Sequence, residues 1–265
     1  GRQVFNWGEG IFYRGGINTT NPVDAAKYRL PGAEVKEVLM PVEAVSFNIG
    51  LSDSLTLESF YQTNWKETRI DPVGTFYSQT DLFADGGNTG YNNFSGTALD
   101  TPVPGFGNVI GLYSALGNNP LLSPVLQTTG LYANGVTPAY GNTLKVASIG
   151  KDYNARNDGQ FGFAFRYIAE QLNSTEFGLY LVNYHAKEPT IAADLGGYKG
   201  IDMNALTNLL AGVAGDQAGA LANGLATADV MGNIQAHRRY AEDIRMYGFS
   251  FNTTLGEASV FGEIA

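Results

Sequence analysis

Three times in this chain two strongly alternating segments meet across a turn of two or three residues, and long connections separate the pairs. In the first pair Val45, Phe47, Ile49 and Leu51 share one face, the chain turns at Ser52-Asp53, and Leu55, Leu57, Ser59, Tyr61, Thr63 and Trp65 follow at every second position. The second pair alternates Phe161, Phe163, Phe165 and Tyr167 with Gly162, Ala164 and Arg166, turns at Asn173-Ser174, and returns through Phe177, Leu179 and Leu181. The third runs through Tyr247, Phe249 and Phe251, turns near Leu255-Gly256-Glu257, and resumes with Ala258, Val260, Gly262 and Ile264. A period of two places these side chains on one face of an extended strand, which a helix cannot do. Strands of soluble domains cluster near five or six residues, whereas a strand tilted across a bilayer needs about 9–11. Short turns at one end and long loops at the other are the asymmetry of outer-membrane barrels. The fold expected is all-β: a transmembrane antiparallel β-barrel domain spanning 1–265, with about seven strands visible, long loops and one loop helix.

If the apolar rows face lipid, the opposite rows face a lumen. They comprise Glu58, Gln62, Asn64 and Lys66, then Arg166, Glu170, Glu176, Tyr180 and Tyr184, then Ser250, Asn252, Ser259 and Glu263. Phe60, Ile168, Val182, Met246 and Phe261 interrupt that polarity. Such a mixed wall suits an amphipathic passenger, or else the apolar members pack against a plug or the loop helix. Trp65, Tyr167 and Tyr247, placed near the loop-side strand ends, are candidates for an aromatic girdle.

Residues 68–157, about ninety of them, are rich in Gly, Asn, Pro and Tyr without a sustained period and read as one long surface or lumen-folding loop. A second long loop, 188–240, carries a helix near 202–228: Asp202 is its N-cap, and Met203, Leu206, Leu210 and Val213 fall at helical spacing. That apolar stripe packs against the rim, plugs the lumen or touches a hydrophobic passenger. Gly15-Gly16-Ile17-Asn18, Asn21-Pro22-Val23-Asp24 and Leu30-Pro31-Gly32-Ala33-Glu34 are turn formers.

The chain opens and stops within strand-like sequence, with no signal peptide at its start, and an odd number of strands leaves two open edges. These features lead to the expectation of an internal piece of a longer exported protein, because unpaired edges do not persist in lipid. No run of about 18 apolar residues forms a helical span, which leaves a barrel possible. The formal net charge of −9 argues against nucleic acid as a partner. The compact cluster His237-Arg238-Arg239 is a solvated loop end or a contact for lipopolysaccharide phosphates. With no Cys and only two His, thiolate metal sites, thiol nucleophiles and His-based clusters have little material. His185 beside Glu188 offers a general-base pair without a nearby nucleophilic Ser. Asp71, Asp81 and Asp85 offer oxygens for a loop calcium, or are ordinary turn residues. No catalytic residue, metal or cofactor is expected.

Trp7-Gly8-Glu9, Gly16-Ile17-Asn18, Asn21-Pro22-Val23-Asp24, the block from Arg29 to Glu37, Pro41, Glu58-Ser59-Phe60-Tyr61-Gln62, Trp65, and Asp71-Pro72-Val73-Gly74-Thr75-Phe76 resemble the domain-of-unknown-function family 1302 of Gram-negative bacteria. The resemblance is specific over residues 1–85 and architectural beyond. It implies an outer-membrane β-barrel whose members are longer than this chain. It also implies a periplasmic partner of another uncharacterised family and an inner-membrane lipid exporter of the resistance-nodulation-division type. The function expected is a conduit or acceptor for a hydrophobic or amphipathic small molecule, embedded among outer-membrane lipid and lipopolysaccharide. A ligand-binding or adhesive barrel and a nonspecific porin are the alternatives.

Overall fold

The computed structural model describes residues 1–9, 16–33, 35–78 and 84–265. Gly15, Glu34 and Asp81, three of the turn and calcium candidates, lie outside the described residues. The chain divides into two compact units: residues 1–71, 153–190 and 238–265, and residues 72–152 and 191–237.

The first unit is built on a seven-stranded half-barrel sheet. Its strands are β1 (Arg2–Gln3), β2 (Val42–Ser52), β3 (Leu55–Gln62), β4 (Gln160–Ala169), β5 (Thr175–Tyr184), β6 (Ile244–Leu255) and β7 (Ala258–Ile264), and each pairs antiparallel with the next in chain order. The three expected hairpins are all present. The β4–β5 turn is longer than its two-residue reading: Glu170–Leu172 wind into a 3-10 turn, and Asn173 and Ser174 both take left-handed backbone angles, a conformation that Asn tolerates better than most residues.

Register makes one face continuous. Val45, Phe47 and Ile49 of β2 lie opposite Tyr61, Ser59 and Leu57 of β3, which in turn lie opposite Phe161, Phe163 and Phe165 of β4. Phe165 then faces Leu179 of β5, Leu179 faces Phe249 of β6, and Phe249 faces Ile264 of β7. Most of this apolar row is open: Val45 is 66% exposed, Leu179 58% and Ile264 71%. Asn183 opposite Arg245 marks where the face turns polar at the long-loop end. β4 has ten residues; at about 3.3 Å per residue and a tilt of about 40° such a strand covers about 23 Å of height, close to the ~25 Å apolar band of a membrane barrel.

The second unit corrects the reading of 68–157 as a structureless loop. Asn108 caps helix α1 (Val109–Gly117) by accepting from Gly111 N–H at 2.9 Å, and Ser123–Gln127 form a further short helix. Strand Thr143–Ile149 pairs antiparallel with Thr89–Asn93 and parallel with Gln235–Arg239. The single helix expected over 202–228 is two, α2 (Met203–Ala214) and α3 (Ala218–Gly232). Asp202 does cap the first, accepting from Ala205 N–H at 3.0 Å. Gly215, at φ 54°, ends it with its N–H bonded to Ala211, the left-handed stop that Gly makes easily. Ile110, Tyr113, Leu131, Leu144, Leu206 and Leu225 form the core of this unit, with Met203 packed against it.

Within that core Asp229 is fully buried. Its carboxylate accepts from Tyr113 Oη at 2.7 Å, Tyr198 Oη at 2.9 Å and Tyr132 N–H at 3.2 Å. Burial, and then the neighbouring carboxylate, push the Tyr113 phenol well above its ordinary range.

Candidate functional site

The face opposite the apolar row is covered by the chain's own N-terminal segment. Residues 1–7 look like the end of a strand in the sequence, but pairing stops after Gln3. The segment then crosses the inner face of the sheet as a strap. Trp7 and Ile17 are buried there with Phe60, Ala164, Tyr180, Val182 and Met246, and Phe5 and Tyr184 pack at the margin. Phe5 stacks on Phe60 at 4.4 Å between ring centroids, and Trp7 stands 5.0 Å from Phe60 and 6.3 Å from Tyr180. Phe60, Val182 and Met246, three of the apolar interruptions of the inner row, thus pack against this N-terminal strap.

Polar groups fix the strap's backbone. Asn18 Oδ1 accepts from the N–H groups of Trp7 and Gly8 at 2.9 and 3.2 Å, and Asn21 Oδ1 accepts from Phe5 N–H at 2.8 Å. Arg166 donates to Trp7 O at 3.2 Å and to Glu176 at 2.7 Å, with its guanidinium 5.8 Å above the Tyr180 ring. Glu263 accepts from Glu9 N–H at 2.8 Å, and Asn252 donates to the Glu9 carboxylate at 3.2 Å. Tyr180 and Ser250 share a hydroxyl hydrogen bond of 3.0 Å. Six residues expected on the inner wall (Arg166, Glu176, Tyr180, Ser250, Asn252 and Glu263) therefore meet around the strap. Beside it lies a recess of 440 Å³ lined by Asn6, Trp7, Ser46, Asn48, Glu58 and Arg166, among others.

Other expected positions are placed differently. Gln62 is buried and donates to the carbonyl of Asn64, which lies beyond the strand end. Glu170 is exposed in the β4–β5 turn. Trp65 is not a girdle residue: it is buried against Ala155 and Tyr240, and its indole N–H donates to Ala186 O at 3.0 Å. Tyr167 and Tyr247 do lie exposed on the apolar face, but Tyr167 belongs to the turn end of β4. Met203, Leu206 and Leu210 pack in the second unit's core, whereas Val213 is 86% exposed.

The strap leaves a signal in the sequence. Gly162, Gly178 and Gly248 are spaced along inner rows, and Gly inside a strand marks close approach of another group. A Cβ at Gly162 would sit 2.5 Å from the Phe60 ring and 2.8 Å from Trp7, and one at Gly248 would sit 2.7 Å from Ile17.

His185 does not act with Glu188. Its Nδ1 accepts from Asp243 N–H at 3.0 Å, so Nε2 carries the proton and donates to Asp158 O at 2.8 Å; Glu188 accepts from Thr68. Nearby, Lys187 is almost fully buried and donates to Gln160 at 2.7 Å, and burial pulls its ammonium down to about 7. Arg156 grips Asp243 through two contacts of 2.6 and 2.7 Å, which hold that carboxyl below its usual range. Asp71 is paired with Arg29. Among the described residues no three His, Asp or Glu side chains gather as a metal site requires. His237 is buried, bonded to Lys151 O at 2.9 Å and 3.3 Å from Asp194, while Arg238 lies 3.9 Å from Glu67 and Arg239 is exposed.

No curated protein and no solved structure matches the chain. One family model, described as a protein of unknown function (DUF1302), matches residues 1–265. With a family-wide match over its whole length, the chain belongs to the DUF1302 family.

Proposed function

We propose that this chain forms part of a bacterial outer-membrane barrel that passes or accepts a hydrophobic or amphipathic molecule, and that the N-terminal strap holds its lumen closed at rest. The observation that carries this reading is the division of one sheet into two faces. The outer face is apolar and exposed from β2 to β7, an area that water penalises and lipid accepts. The inner face mixes aromatic and charged groups and is covered by Phe5, Trp7 and Ile17. An open porin needs a clear, polar lumen, so the strap favours a gated route over free diffusion of ions. The reading assigns no catalysis to the chain. It places the barrel beside a periplasmic partner and an inner-membrane transporter of the resistance-nodulation-division type, which supply the energy.

The test is fractionation followed by planar-bilayer recording of the full-length protein. It is expected to require detergent for extraction and to show negligible conductance until the strap is loosened. Recovery as a soluble protein, or a large resting conductance, overturns the reading.

A further inference from the structure

The second unit carries a groove unrelated to the strap. It has a volume of 420 Å³, within the ~300–1,000 Å³ range of small-molecule sites. One wall is the end of α2 and the start of α3, with Val213 and Leu221; the other is Leu99, Pro102 and Pro104. The floor is formed where α3 passes close to α1: a Cβ on Gly224 would stand 2.7 Å from Val109 Cγ1, so only Gly permits that approach. Val213, 86% exposed, is a large aliphatic side chain left in water beside a cavity it would help to cover.

Among the described residues the lining contains no Asp, Glu, Lys, Arg or His, in a chain of formal net charge −9. Asp100, adjacent in sequence to the wall, is held by Gly96 N–H at 2.9 Å and Asn108 at 3.1 Å. The polar side chains of the lining are Thr101, Gln217, Asn223 and Thr227, all uncharged; the Thr227 hydroxyl donates to Asn223 O at 2.7 Å and can still accept. Among the described residues no charged group in the groove compensates an ion, and burying an uncompensated charge is costly. We infer that the groove binds a small neutral molecule with a hydrocarbon body and a hydroxyl or carbonyl group, and not an ionised fatty acid or a cationic amphiphile. This holds whether or not the sheet of the first unit forms a conduit.

The test is photolabelling of the full-length protein in lipid nanodiscs with a diazirine-bearing octanol and, in parallel, a diazirine-bearing octanoate, with labelled residues located by peptide mass spectrometry. Saturable octanol labelling around Val213 and Leu221 is expected, competed by unlabelled 1-dodecanol, with octanoate labelling at least about tenfold lower. Val213→Glu with Thr227→Arg, both at exposed positions, and separately Ala220→Trp, which fills the groove without charge, each reduce octanol labelling about tenfold. Leu209→Glu, on α2 but outside the groove, leaves it unchanged. Equal labelling by octanoate, labelling that does not saturate, or labelling that survives both groove variants overturns the inference.

Discussion

Replacing Trp7 by Ala attacks the strap at its most buried aromatic. Trp7 is only 6% exposed and touches Phe5, Phe60 and Tyr180. Truncation of a buried Trp costs about 3–5 kcal/mol, through lost apolar burial and the cavity left behind. The strand ladders do not depend on this side chain, so the loss falls on the equilibrium between strap docked and strap released. Each 1.4 kcal/mol is a factor of ten in that equilibrium, so the released fraction rises by about two to three and a half orders of magnitude. Arg166 and Glu263 still hold the strap backbone, which places the effect at the lower end. The assay is single-channel recording of the full-length protein, wild type against Trp7→Ala, with single-Cys variants at Ser46 or Asn48 probed by a water-soluble maleimide; the chain has no Cys of its own. More frequent openings and faster labelling are expected. Unchanged conductance and unchanged labelling, in a variant shown to insert normally, would refute the strap as a gate.

Three further outcomes follow from the same structure. Leu179→Arg, in the middle of the apolar face, is expected to cost about 2–4 kcal/mol of membrane stability, whereas Ser46→Arg on the inner row costs much less; urea titrations in liposomes compare them. Lys187 loses its proton near pH 7 in the native state and near 10.5 in the unfolded chain, so between those values the unfolded chain binds more protons and stability rises with pH. Below pH 7 the whole penalty, on the order of 5 kcal/mol, opposes folding. Lys187→Met therefore stabilises most in acid and flattens the slope between pH 7 and 10, read from thermal midpoints. Asp229→Ala leaves the Tyr198 hydroxyl and the Tyr132 N–H without this acceptor and the Tyr113 hydroxyl with only Thr137 Oγ1 at 3.2 Å, at a cost of about 3 kcal/mol or more. Hydrogen exchange is expected to show the loss in α1 and α3 while β4 and β5 stay protected.

The hairpin strands are legible because their period of two runs for seven or more residues and their turns carry Asp, Asn or Gly. The helices of the second unit are less so. α1 is apolar nearly all round, with Val109, Ile110, Leu112 and Tyr113 all buried, so no stripe distinguishes it from a loop. Asp202 and the Met203-Leu206-Leu210 stripe locate α2, but its Gly215 stop is hidden in a run of small residues that gives no break in the pattern. At the inner face, alternation alone picked Arg166, Glu176, Tyr180, Ser250, Asn252 and Glu263. It could not find the strap, since residues 1–7 read as a strand end, whereas beyond Gln3 the backbone is held by the side chains of Asn18, Asn21, Arg166 and Glu263 and not by strand pairing. The inward glycines were the available clue. Trp65 misled because an aromatic at a strand end serves a girdle and a buried joint equally well, and only its indole bond to Ala186 decides.

The claim on which the account stands is that one face of the sheet meets lipid and the other does not. Single-Cys variants at Leu179, Phe165 and Phe249, and at Asn48 and Ser250, carry a fluorophore in liposomes containing nitroxide-labelled lipid. The account predicts strong quenching at the first three positions and little at the last two. Equal quenching at all five, or ready labelling of Leu179→Cys from water, would contradict it.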